Sequence, residues 1–184
     1  MTTADQTEPQ EIDLGGKALI YAIAAHKDQR RKYTGEPYYR HLQEVAAWTA
    51  VALKDHPDFP TLFNIAILHD VIEDTDIAFD QIVEEFDRPT AIGVLALSDL
   101  EEGNRFQRKR MSRARLATQS AEIQTIKVAD CLSNASSIIA NDTAFARVFC
   151  KEVRELLKVL NLADPDLKAM LKGQIDAFLG PEST

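Results

Sequence analysis

With 184 residues, 45% of them apolar and 27% charged, the chain has the make-up of an ordinary globular protein long enough to bury a real core. No apolar run approaches the ~20 residues that span a bilayer, and Met1 to Asp13 is polar and acidic, unlike a signal peptide, so a cytoplasmic location is expected. A net charge of −8 argues against non-specific binding to long nucleic acids, and Cys131 and Cys150 form no CxxC pair and suit a reducing compartment.

Residues 1–14 show no periodicity and are expected to be disordered or loosely docked, with one domain over 15–180. From Gly16 the pattern ALIYAIAAH recurs at helical spacing, and the first helix is expected to run to about Lys32. Gly35 and Pro37 then make a turn, and a second helix follows over 39–54 with Val45, Trp48, Thr49 and Leu53 toward the core. The loop His56–Pro60 leads to a third helix, read as continuous from Leu62 to Asp74. Thr75 or Asp76 is expected to cap a fourth, 77–86, and Pro89 suits the start of a fifth, ending near Leu97. Further helices are expected over 105–117, 121–139, 143–161 and 165–179. Without strand alternation or repeats, this reads as an all-α bundle of about eight or nine helices.

The stretch IAILHDVIEDTD, residues 65–76, turns from apolar to acidic within one element. On a continuous helix His69 and Asp70 point about 100° apart, with Glu73 one turn beyond both and Asp74 one turn beyond Asp70. Acids crowded at a helix C-terminus are unfavourable without a positive charge, which a divalent metal supplies. His41 upstream, with His26 as its competitor, and Asp130 downstream complete a mixed nitrogen and oxygen set. Such a set suits Mn, Fe or Zn better than Ca or an all-oxygen Mg site. Asp130, Asn134 and Ser137 lie at i, i+4 and i+7, placing two neutral polar groups on the stripe of an acidic one. Cys131, beside Asp130, reads as a small buried core residue.

Positive charge is gathered in two clusters, Lys27, Arg30, Arg31 and Lys32, then Arg105, Arg108, Lys109, Arg110, Arg113 and Arg115. Local clusters of this kind are compatible with a small polyanion such as a nucleotide carrying several phosphates. The second cluster by itself reads as a solvated helix face.

Four blocks, His26-x-x-Gln29-x-Arg31-Lys32, Gly35-Glu36-Pro37-Tyr38-x-x-His41, Leu68-His69-Asp70-Val71-x-Glu73-Asp74-Thr75 and Lys127-Val128-Ala129-Asp130-x-Leu132-x-Asn134, share an order and spacing. In these the chain resembles the HD-type hydrolase domain of the RelA/SpoT proteins and the small alarmone hydrolases of Mesh1 type. The resemblance implies a helical HD fold holding one Mn²⁺ and hydrolysis of (p)ppGpp at the ribose 3′ position, with release of pyrophosphate and GDP or GTP. It places metal ligands at His41, His69, Asp70 and Asp130, a catalytic acid pair at Glu73 and Asp74, and nucleotide contacts at Arg31, Lys32, Asn134 and Ser137. Three positions depart from the family pattern: Leu42 where proline is usual, Cys131 where Lys or Arg is usual, and Ser133 where an aromatic or His is common. They leave the implied ligand set intact and the nucleotide open. The alternatives are an HD phosphohydrolase acting on NADPH, a dNTP or a nucleoside monophosphate, and a non-catalytic alarmone-binding module, for which an intact acid pair would be superfluous. Oligomeric state is not legible.

Overall fold

The computed structural model describes residues 15–181, so the expectation for residues 1–14 lies outside the described residues. These form ten helical segments: α1 (Gly16–Ala25), α2 (Tyr39–Leu53), α3 (Phe59–Leu68), the single turn α4 (Val71–Asp74), α5 (Phe79–Glu85), α6 (Arg88–Leu97), α7 (Arg105–Leu116), α8 (Ala121–Asn141), α9 (Thr143–Leu157) and α10 (Pro165–Leu179). Among the described residues there is no strand, only an isolated bridge between Arg30 and Pro37. The all-α expectation holds, and the extra segment arises because the expected third helix is broken in two.

α8 is the axis of the bundle. Ser120 caps it through the Ile123 N–H, and 12 of its 21 residues are buried, too many for one stripe, so neighbours must enclose it. Those neighbours are α2, α9 and α10, with α6 touching more lightly. α2 turns its buried stripe His41, Leu42, Val45, Ala46 and Thr49 to the core, so His41 is anchored by the same face that buries Leu42 and Val45. α3 carries Leu62, Ile65, Ala66, Ile67 and Leu68 into the same core, between α2 and α6. α6 approaches α3 closely at Gly93, where a β-carbon would run into the Ile65 side chain. Each fully buried Leu or Ile contributes about 1.5–3 kcal/mol, so the site rests on a rigid apolar base.

Two departures from the expected helices shape the site. α1 ends at Ala25 rather than near Lys32, because residues 26–38 fold back on themselves. Arg31 N–H donates to the Glu36 carbonyl at 2.9 Å, Gly35 N–H to that of Arg31 at 3.0 Å and Tyr38 N–H to that of Gln29 at 3.1 Å. Gly35, at φ 71°, supplies the left-handed residue this loop requires. The second departure is the break between α3 and α4 at His69 and Asp70. The His69 ring donates from Nδ1 to the Ala66 carbonyl at 2.8 Å, and Asp70 takes φ −99°, ψ −4°, so the helical ladder is interrupted there. α5 also starts later than expected, after Ala78, because the Thr75 hydroxyl turns back to the Val71 carbonyl at 2.6 Å.

Candidate metal centre and its cleft

The helix break at His69 and Asp70 lets two adjacent side chains converge, which a continuous helix would splay apart. His69 Nε2 lies 3.0 Å from Asp70 Oδ2. His41, at the start of α2, brings its Nε2 to 3.4 Å from Asp70 Oδ2 and 3.3 Å from Asp130 Oδ1. Asp130 Oδ1 is also 3.8 Å from His69 Nε2. His41, His69 and Asp130 form a buried group with ligand atoms all within 4.8 Å of one another, and Asp70 adds its carboxylate beside both imidazoles.

Both Nε2 atoms are buried and lack a hydrogen-bond partner, while both Nδ1 atoms are occupied, by Ser133 Oγ at 2.8 Å and the Ala66 carbonyl at 2.8 Å. A buried polar atom is rarely left unpaired, and a ring fixed through Nδ1 presents Nε2 as a ligand. Two imidazoles and one carboxylate converging within 4.8 Å, with a second carboxylate beside both rings, fit a divalent transition metal.

The charges agree. Burial opposes the His41 cation, but the neighbouring Asp130 and Asp70 carboxylates outweigh it and raise the ring to about 9. His69 is raised as well, burial again being overcome by Asp70. Burial likewise opposes the Asp70 and Asp130 anions, yet the two histidines for Asp70, and Lys127 with the histidines for Asp130, hold both below the usual carboxylate range. Without a metal the group therefore carries protons where a metal ion would sit.

Neighbouring residues hold the ligands in place. The Tyr38 hydroxyl donates to Asp70 Oδ2 at 2.7 Å. Burial, with Asp70 adding to it, raises the Tyr38 pKa, so it stays a donor. Asn134 Nδ2 donates to Asp130 Oδ1 at 2.7 Å, and Lys127 Nζ lies 2.9 Å from Oδ2. Burial opposes the Lys127 charge, but Asp130 and Asp99 keep it well above its ordinary range.

A cleft of about 470 Å³ opens from the centre, lined by Asp70, Glu73, Asp74 and Asp130 at one side and by α7 at another. Glu73 is exposed toward it, with one oxygen accepting the Asp99 N–H at 2.7 Å. The protein crowded around this carboxyl raises its pKa, against the lowering effects of that hydrogen bond and of Lys127. Desolvation is the largest cause, and the charges of Asp70 and Asp99 add to it. Asp74 Oδ2 accepts from Gln29 Nε2 at 2.8 Å, and Gln29 Oε1 is 2.6 Å from His26 Nδ1. His26 is thus a buried partner of Gln29, not a member of the metal group.

The expected nucleotide contacts are scattered. Asn134 lines the cleft. Ser137 is half-buried outside its lining. Lys32 lies over the rings of Tyr33 at 5.0 Å and Phe145 at 5.7 Å, and Phe145 is a cleft residue. Arg31 is placed differently from its expected role: it is 8% exposed and turned inward, donating to Ser133 Oγ and the Ser133 carbonyl at 3.2 Å each.

The second basic cluster also departs from its reading as a solvated face, because Arg105, Arg108, Lys109 and Arg113 line the cleft. Lys109 and Arg115 grip Asp99 at 2.7 and 2.9 Å, and Arg105 pairs with Glu152 at 2.7 Å. Asp99 itself falls to about 2, burial being outweighed by Lys127 and Lys109. Tyr38, Gln29 and Lys127 stand in the matched blocks of the sequence without an assigned role, and Asp99 carries no signal there.

The HD domain family matches residues 18–156. The guanosine-3′,5′-bis(diphosphate) 3′-pyrophosphohydrolase MESH1 of Drosophila melanogaster is 31% identical over 126 residues, covering 68% of this chain and 69% of that protein. A probable guanosine-3′,5′-bis(diphosphate) 3′-pyrophosphohydrolase of Synechocystis is 31% identical over 150 residues, 78% of this chain, which spans only 19% of that relative's length. Among solved structures, a metazoan ortholog of SpoT, described as hydrolysing ppGpp and acting in starvation responses, superimposes with a TM-score of 0.81 at 25% identity, over 95% of this chain and 99% of the other. No helix of the described residues is long and apolar enough to cross a membrane. An HD hydrolase domain implies a divalent metal, which the buried His41, His69 and Asp130 fit, and the chain belongs to the HD-domain family of RelA/SpoT-type hydrolases, on its small, Mesh1-like side.

Proposed function

We propose that this chain is a Mn²⁺-dependent guanosine-3′,5′-bis(diphosphate) 3′-pyrophosphohydrolase that converts (p)ppGpp to GDP or GTP and pyrophosphate. The observation that carries the reading is one cleft lined both by Asp70 and Asp130, the carboxylates beside His41 and His69, and by the basic wall of α7. Its volume falls within the ~300–1,000 Å³ usual for small-molecule sites. Five basic residues line it against six acidic ones, so a divalent ion is needed to tip the lining positive toward a polyanion. Asp70, Glu73, Asp74 and Asp130 gather at the ligand end, and Arg105, Arg108, Lys109 and Arg113 lie along α7, a polarity suited to a nucleotide with phosphates at both its 3′ and 5′ positions. Phe145 and Phe149 offer apolar faces for a purine.

His41, His69, Asp70 and Asp130 would hold the ion, which supplies a Lewis acid that lowers the pKa of water and offsets phosphoryl charge. Asp74, with one oxygen held by Gln29, keeps the other free to take a proton from the attacking water. Glu73, raised by desolvation, gives a proton to the departing 3′ oxygen as the new O–P bond replaces the old one. Asn134 orients the Asp130 carboxylate and offers its remaining polar atoms to the ribose, while Lys32 and Ser137 contribute from the rim.

A product assay tests the whole reading. Mn²⁺-loaded protein given ppGpp, NADPH and a dNTP panel should turn over ppGpp best, releasing pyrophosphate and GDP. Faster turnover of NADPH or a dNTP would replace the substrate, and no turnover of any would favour a binding module.

The raised pKa of His41 gives a second expected result. With His41 raised to about 9, the metal-free centre keeps its proton at neutral pH, and Mn²⁺ must displace it. The sign follows from a cation present below its folded pKa: lower pH means stronger competition. Mn²⁺ affinity should therefore rise about tenfold per pH unit between about pH 6 and pH 8, measured by Mn²⁺ titration. A flat profile would remove His41 from the ligand set.

A further inference from the structure

The unexplained feature of the site is a second polar group behind it, centred on the buried Ser133 and reaching the surface at Glu44. This residue is 3% exposed on α8, and its Oγ meets three partners. Glu44 Oε2 lies at 2.5 Å, His41 Nδ1 at 2.8 Å and Arg31 Nη1 at 3.2 Å. A serine hydroxyl has one proton and two lone pairs. A carboxylate accepts only, so the single Ser133 proton goes to Glu44. A guanidinium donates only, so Arg31 takes one lone pair. The remaining lone pair faces His41 Nδ1, which must carry a hydrogen. His41 is thereby fixed with Nδ1–H inward and Nε2 toward Asp70 and Asp130, where it has no protein hydrogen-bond partner.

We propose that Ser133 is a positioning residue whose hydroxyl, saturated by Glu44 and Arg31, sets His41 as an Nε2 ligand. Arg31 then serves the reaction from behind the metal centre, through its paired contacts to the Ser133 hydroxyl and carbonyl, and phosphate recognition falls to α7. Glu44 acts indirectly: it is not a lining residue of the cleft, yet it accepts the Ser133 proton and so sets which way that proton points. The inference rests on the proposed metal centre and deepens it.

The test uses the full chain with Mn²⁺ as the probe, together with the His41 Nδ1–H resonance in ¹⁵N-histidine-labelled, metal-free protein. Ser133→Ala should weaken Mn²⁺ binding by about 10- to 100-fold, the range for losing an outer-shell partner, and expose the Nδ1–H to fast solvent exchange. Ser133→Thr, which keeps the hydroxyl, should restore both. Should Ser133→Ala not fold, Glu44→Leu on the exposed side of α2 frees the Ser133 proton and should weaken Mn²⁺ by about 3- to 10-fold. Wild-type Mn²⁺ affinity and an unchanged Nδ1–H signal in Ser133→Ala, or in Glu44→Leu in its place, overturn the proposal. Wild-type protein that takes up no Mn²⁺ overturns the metal reading instead, and a Ser133-dependent Nδ1–H signal in that same protein still supports the orientation of His41.

Discussion

Replacing Asp130 by asparagine is expected to abolish stoichiometric Mn²⁺ binding and hydrolysis while the protein stays folded. Asp130 reaches both histidines with one oxygen and Lys127 with the other, so its charge serves the ligand group and a buried ammonium at once. Asparagine keeps the shape and an oxygen for Lys127 but loses the negative charge a divalent ion requires. Alanine should abolish binding too, at a further cost. Lys127, with a side chain only 13% exposed, would lose its closest partner, and a buried charge stripped in this way costs roughly 3–5 kcal/mol. Metal analysis after dialysis, paired with thermal melting, separates the two effects: both variants metal-free, with alanine melting well below asparagine. Full metal occupancy in Asp130→Asn would leave the site to Asp70 and the histidines.

That prediction was accessible from sequence as far as the ligand types go. His69-Asp70 at the end of an apolar run, a histidine one helix upstream and an aspartate inside a later apolar helix form a pattern that solvated acidic surfaces do not require. The helices were legible for the same reason, since Gly35, Pro37, Pro60, Pro89 and Pro165 fall between or at the starts of apolar periods. The break at His69 was not. Apolar spacing runs through it undisturbed, and what interrupts the ladder is a ring nitrogen competing for the Ala66 carbonyl. Such competition depends on a rotamer, which periodicity does not encode.

The basic cluster on α7 teaches a different lesson. Arg105, Arg108, Lys109, Ser112 and Arg113 recur at i, i+3, i+4, i+7 and i+8, the spacing of one helical face, and that face lines the cleft. A polar stripe at the helical period carries the same information as an apolar one when it is read against the rest of its helix. By contrast, the contacts of Tyr38 with Asp70, Gln29 with Asp74 and Arg31 with Ser133 join residues 32, 45 and 102 positions apart. They exist because the 26–38 loop closes back on itself toward α4 and α8, a tertiary outcome with no local signature.

Glu73→Gln and Asp74→Asn should each lower kcat by about 10²- to 10⁴-fold, the range for lost general acid–base catalysis, with Mn²⁺ content unchanged. The two substitutions remove charge and proton while keeping the local hydrogen bonds. Glutamine at 73 can still accept the Asp99 N–H with its Oε1, and asparagine at 74 can still present an oxygen to Gln29. Stability separates a chemical role from a structural one at Glu73. A carboxyl whose folded pKa is raised gives its full stability below the unfolded value, and that stability is lost as pH rises through the folded pKa. Losing the proton in that setting opposes folding, so Glu73→Gln, which mimics the protonated form, should melt at or above the wild-type temperature while turning over far more slowly. A group retained against its own stability is the mark of a functional carboxyl. A slower enzyme that also melts lower would make Glu73 a structural partner of the Asp99 loop, and wild-type kcat in both variants would move the proton transfers to other residues of the cleft.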